Sequence, residues 1–130
     1  MTCGEIIAQI EKDYPTSCAL EWDNVGLLAG RMDKEVKRVY IGLDATDPVI
    51  REAADKGADL LLTHHPLLFH GITRVTDQDF LGNRVLNLIR SDISYYAMHT
   101  NYDVCRMGEI CSRRLQLQET EILEVTEERA

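Results

Sequence analysis

No apolar run in this sequence approaches the roughly 20 residues needed to cross a bilayer as a helix, so no membrane span is expected. The N-terminus lacks a secretory pattern, because Glu5, Glu11, Lys12 and Asp13 interrupt any apolar stretch, and a cytoplasmic protein is expected. Basic residues are in the minority, 14 Lys and Arg against 22 Asp and Glu, and the net charge is −8. Bulk attraction to nucleic acid is therefore not expected. Four cysteines occur, and Cys3, Cys18, Cys105 and Cys111 form no C-x-x-C unit. They read as thiols of a reducing compartment, not as a disulfide framework or a thiolate zinc site. There is no P-loop, no G-x-G-x-x-G and no basic phosphate cradle, so no local motif points to nucleotide chemistry. There is also no internal repeat, low-complexity stretch or linker.

What is present suits one globular domain. The chain has 130 residues, 45% of them hydrophobic, enough to build a core without staples. Half of the net charge falls in the last twelve residues, where Glu119, Glu121, Glu124, Glu127 and Glu128 face only Arg129. Thr2-Cys3-Gly4-Glu5 has the spacing of a capping box, and Ile6, Ile7, Ile10 and Tyr14 follow at helical spacing. A helix is expected from Thr2 to Asp13. Residues Leu20 to Gly30 read as irregular. Arg38 to Asp44 reads as a strand. Thr46-Asp47-Pro48 caps and opens a helix, with proline at its first position, running to Lys56. Asp59 to Thr63 reads as a buried strand, Gly71 to Asp79 as a polar loop, Leu81 to Ser91 as a helix and Ser94 to Met98 as a strand. Arg106 to Leu115 reads as a helix, and Gln118 to Val125 as an edge strand or tail. This alternation implies an α/β domain, a largely parallel or mixed sheet flanked by helices.

The chemistry gathers at strand ends. Thr63-His64-His65-Pro66 follows one strand and His99-Thr100-Asn101-Tyr102-Asp103 another, while Asp44 ends a third. Parallel strands bring such ends to one edge, where open α/β sheets bind ligands. Three imidazoles and a carboxylate form an inventory of metal ligands. Adjacent residues on an extended segment point to opposite sides, so His64 and His65 would serve two metals more readily than one. Pro66 keeps His65 extended. From spacing alone a solvated strand end is equally open for His64 and His65, a helix cap for Asp103, and a supporting or substrate-contacting role for His99. Asp44, beside Asp47-Pro48, reads as a turn and cap feature. Trp22 reads as a core or interface residue, and His70 as a loop histidine.

Three segments in order, Glu21-Trp22-Asp23-Asn24-Val25-Gly26-Leu27, Thr63-His64-His65-Pro66-Leu67-Leu68-Phe69 and His99-Thr100-Asn101-Tyr102-Asp103, resemble the motifs of the NGG-one-interacting-factor-three-like (Nif-three-like) family. Its members are also described as GTP cyclohydrolase 1 type 2 homologues. The resemblance implies a dinuclear centre of divalent metal, with His64, His65 and Asp103 as ligands and His99 beside them. Zinc, iron or manganese suits this set better than calcium, since imidazole is a poor calcium ligand. It also implies a homo-oligomer, a ring-shaped hexamer in the family, and a small-molecule substrate that the motifs do not identify. Family members are about twice as long, and their second half supplies a further His and Glu that residues 1–130 do not contain. Residues 1–130 therefore resemble the N-terminal half of such a protein as one Nif-three-like domain. The implied function is that of a metal-dependent hydrolase of the GTP cyclohydrolase-like kind, with no catalytic acid or base identified. A non-catalytic metal-binding interaction module and an inactive fragment are the alternatives.

Overall fold

The structure, a computed structural model, describes residues 1–121. Helix α1 spans Cys3–Asp13, and its capping box forms as the sequence predicts. Thr2 Oγ1 accepts from the Glu5 backbone N–H, and Glu5 Oε2 accepts from the Thr2 backbone N–H. Strand β1 is Gly26–Ala29, β2 Val39–Gly42, β3 Leu60–Thr63 and β4 Ser94–Ala97. Helix α2 spans Asp47–Asp55 and α3 Phe80–Arg90. The order in the sheet is β1-β4-β3-β2. β2, β3 and β4 run parallel, in register from Val39, Leu60 and Ser94 to Gly42, Thr63 and Ala97. β1 closes the other edge antiparallel to β4, so the fold is an α/β domain with a mixed sheet.

Alternation along the strands sends side chains to two cores. Leu61, Tyr95 and Ala97 face α2 and α3 with Ile50, Ala53 and Leu88. Leu60 and Tyr96 face α1 with Cys3 and Ile7. The central strands β3 and β4 are covered on both faces. That explains why they read as continuous apolar runs.

Three departures from the sequence reading bear on function. First, β1 lies inside the stretch read as irregular. It is a four-residue strand that begins at Gly26 (φ 103°) and is followed by Gly30 (φ 106°), residues that weaken a strand signal. Gly30 cannot be replaced without a rearrangement, since a Cβ there would lie 2.5 Å from Ser94 Cα. Second, the C-terminal helical run begins at Thr100 rather than Arg106. It comprises α4 (Thr100–Tyr102), a π-helical stretch (Asp103–Met107) and α5 (Gly108–Leu115). Asp103 thus lies within the run and not ahead of it. Third, Pro48 occupies the second position of α2, and the Thr46 side chain makes no capping hydrogen bond. Gln118 to Glu121 form no strand, and the remainder of the expected edge strand or tail, to Val125, lies outside the described residues.

Candidate metal centre

The three strand ends converge as expected. β3 delivers His64 and His65, β4 delivers His99, and the end of β2 delivers Asp44. One ring nitrogen from each of His64, His65 and His99 lies within 4.8 Å of the other two. Ring centroids are 5.0 Å apart for His64 and His65, 5.0 Å for His64 and His99, and 5.6 Å for His65 and His99. The expectation that adjacent histidines point to opposite sides does not hold. The strand ends at Thr63, and a bend at His64 and His65 breaks the two-residue alternation and brings both rings into one cluster.

That bend is built from partly buried hydrogen bonds. Thr63 and Tyr95 are fully buried. Thr63 Oγ1 donates to the His65 carbonyl at 2.9 Å, and the Tyr95 hydroxyl reaches the same carbonyl at 3.1 Å. Tyr95 Oη also lies 2.8 Å from Thr63 Oγ1 and accepts from the Leu67 N–H at 2.8 Å. The His65 N–H donates to the Leu43 carbonyl at 3.0 Å. Burial pushes the Tyr95 phenol up, so the hydroxyl keeps its proton and holds both sides of the turn.

Each imidazole is oriented in the same way. His64 Nδ1 lies 3.0 Å from the Met98 carbonyl oxygen, which can only accept, so Nδ1 carries the proton. His65 Nδ1 lies 2.7 Å from Asp44 Oδ1. His99 Nδ1 lies 3.1 Å from both carboxylate oxygens of Asp23. Three Nδ1–H groups directed at oxygens leave three Nε2 lone pairs for another partner. A metal-ligating histidine is held by this kind of outer hydrogen bond. Asp103 enters from the helical run, its Oδ1 3.6 Å from His64 Nε2. That is too long for a hydrogen bond. It is close to the spacing of two ligands on one ion with bonds of about 2.0–2.2 Å.

The sequence reading placed Asp44 at a converging strand end but gave it a turn and cap role, and it gave Asp23, inside the first motif, no role of its own. Asp44 is instead the partner of His65. Asp23 has no exposed side-chain surface. It accepts from the Thr100 N–H at 3.1 Å and the Thr100 hydroxyl at 2.5 Å as well as from His99. Burial alone would push its carboxyl up, but the hydrogen bonds from Thr100, His99 and Asn24 outweigh this and hold it below the usual carboxylate range. Trp22, expected in a core or interface, is 61% exposed and stands edge-on to His99 with centroids 6.1 Å apart. His70 is an exposed loop residue, as expected. A recess of about 190 Å³ beside the cluster is lined by Asp44, Thr46, His65, Leu67, Phe80 and Arg84. Another recess, between α2 and α3, about 370 Å³, has no histidine in its lining and lies apart from this chemistry.

Residues 1–129 match the family described as Duf34/NIF3 (NGG1p interacting factor 3). The chain belongs to the NIF3 family. A relative from Clostridium perfringens, named GTP cyclohydrolase 1 type 2 homolog, is 41% identical over 108 residues, covering 83% of this chain and 41% of the relative. One of the same name from Bacillus subtilis is 36% identical over 124 residues, 94% of this chain and 33% of the relative. The crystal structure of a Bacillus cereus protein related to NIF3 superposes with a TM-score of 0.89 at 36% identity, over 98% of this chain and 36% of that one. Reduced HcgD from Methanocaldococcus jannaschii superposes with a TM-score of 0.87 at 36% identity, over 95% and 50%. The chain thus spans less than half the length of these two curated NIF3 relatives.

Proposed function

We propose that this NIF3-family chain binds divalent metal through His64, His65 and His99, with Asp103 as a carboxylate ligand, and that the centre serves a metal-dependent hydrolase. The observation that carries the reading is the shared orientation of the three imidazoles, each with Nδ1 spent on an oxygen and Nε2 left free. The donor set fits zinc, iron or manganese better than calcium. A cluster whose ligand atoms lie within 4.8 Å of one another, with Asp103 beside it, has room for the two ions that the family resemblance implies. A metal held here would supply Lewis acidity toward a substrate oxygen and toward water. The protein's own part is to fix the imidazoles through Asp23, Asp44 and the Met98 carbonyl. The relatives' name suggests GTP as the first substrate to assay.

A non-catalytic metal-binding module is the second reading. It is favoured by the openness of the centre, where the His65 and Asp44 side chains are 44% and 50% exposed. We also take the chain to be a homo-oligomer, since Val39, Ile41 and Leu43 form an apolar stripe along the edge strand β2 that the described residues leave exposed. Four cysteines outside any disulfide fit a reducing, cytoplasmic setting. Among the described residues no helix is long and apolar enough to cross a membrane.

The test is a zinc titration against a chromophoric chelator. Wild type should compete for zinc, and the His64→Ala, His65→Ala double variant should lose at least tenfold in affinity. Equal affinity in the two proteins would end the reading. Turnover of GTP by the loaded protein would favour the hydrolase, and zinc binding without turnover the binding module.

A further inference from the structure

Trp22 and Phe69 lie on different loops, yet their rings are near-parallel, 22° between planes with centroids 6.4 Å apart. Both stand edge-on to His99, at 6.1 and 5.9 Å. Neither ring is buried, with Trp22 61% and Phe69 40% exposed. Large aromatics normally leave water, so a paired exposure is informative. The pair is also held in place. Asp23, next to Trp22, is anchored by Thr100 and His99. Asn24 donates through Nδ2 to the Leu68 carbonyl, at the residue before Phe69. Each ring thus hangs from a pinned backbone, and the cost of ordering it is met in the free protein.

We propose that Trp22 and Phe69 form a stacking platform for a planar heteroaromatic ring, which places one edge of that ring toward the His64, His65 and His99 cluster. The proposal deepens the metal-centre reading and rests on it for where the reacting atom sits. Flat π-surfaces favour flat partners, and stacking of a base on an aromatic side chain is worth about 1–3 kcal/mol. Polypeptide is a poorer fit. With aromatic side chains of about 150–250 Å², these exposures offer roughly 200 Å², well below the about 800 Å² per partner of a stable protein interface.

Trp22 is the single tryptophan of the chain, so indole emission reports from the platform alone. Guanosine, with ribose 5-phosphate as the ring-free control, is titrated into zinc-loaded and zinc-free protein. Guanosine should quench Trp22 saturably and ribose 5-phosphate should not. Phe69→Leu keeps the reporter and should weaken guanosine binding about tenfold, with zinc affinity unchanged, while Phe69→Tyr should restore it. Absence of saturable quenching, equal quenching by ribose 5-phosphate, or unaltered guanosine binding in Phe69→Leu would each overturn the platform. An emission maximum already blue-shifted and insensitive to guanosine would do so too, by showing the rings covered by protein. Zinc binding with no response to guanosine removes the platform and leaves the metal reading. A Phe69-dependent response in protein that binds no zinc does the reverse.

Discussion

Asp23 shows how much of the centre depends on a residue that never faces the metal. Its carboxylate is shielded from water, and hydrogen bonds from Thr100 and His99 hold it ionised. Asparagine would keep an acceptor but replace the other oxygen with a donor, so it could not serve His99 and both Thr100 groups together. Asp23→Asn should lower zinc affinity about 10- to 100-fold, the usual cost of losing an outer partner of a ligating histidine, with calorimetry as the measurement. It should also change the acid limb of stability. Freed by unfolding, an aspartate titrates near pH 3.9 or so. In the folded chain Asp23 titrates lower, so its contribution is present above that value and is lost as pH falls through the folded one. Thermal unfolding of zinc-free wild type should steepen in its pH dependence below about pH 4, and Asp23→Asn should flatten that slope. Equal slopes would place the acid sensitivity elsewhere. At this scale the sequence was legible for residues whose type names their chemistry. The imidazoles and Asp103 stood out, whereas Asp23 and Asp44 looked like loop and cap carboxylates. Their roles depend on contacts 76 and 21 residues away, which local spacing does not carry.

The turn after β3 is the element that makes the histidines a cluster. It depends on Tyr95, one strand away, whose hydroxyl accepts from Leu67 and reaches the His65 carbonyl. Tyr95→Phe keeps the packing and removes the hydroxyl, leaving the Leu67 N–H without that partner. The expected cost is about 1–3 kcal/mol in denaturant unfolding, with unchanged far-ultraviolet dichroism and weaker zinc binding. Zinc affinity equal to wild type would show that the turn holds without the hydroxyl. The same element scale explains what could be read in advance. β2, β3 and β4 alternate with helices and announced a parallel core. β1 is a short run that begins on one positive-φ glycine and is followed by another, and it gains strand character by pairing with β4. The start of the last helical run was hidden for another reason. Thr100 and Asn101 are buried polar residues, placed by hydrogen bonds to Asp23 and from Asn101 to the Tyr14 carbonyl, and they show no apolar period.

For the whole molecule the open question is what meets β2. Among the described residues it pairs only with β3, so none of them takes its outer backbone edge. Tyr40 turns toward the α2 and α3 core, and alternation sends Val39 and Ile41 to the opposite face, where Leu43 continues the stripe just past the strand. All three are exposed, Ile41 by 73%. β2 itself contains no proline, lysine or other charge of the kind that normally blunts an edge. A two-fold axis beside β2 would pair the strand with its own copy and set the same apolar residues against each other, an isologous contact that closes on itself. The net charge of −8 opposes such contact, and salt screens that repulsion. Self-association should therefore strengthen from low to moderate ionic strength, the opposite of an interface held by ion pairs. Sedimentation velocity over a concentration series is the measurement, with Ile41→Lys as the probe. The substitution falls on an exposed site, so thermal unfolding at low concentration should change little while association weakens. A wild-type chain that stays monomeric at high concentration and raised salt would show that this stripe tolerates water unaided and that β2 is not where copies meet.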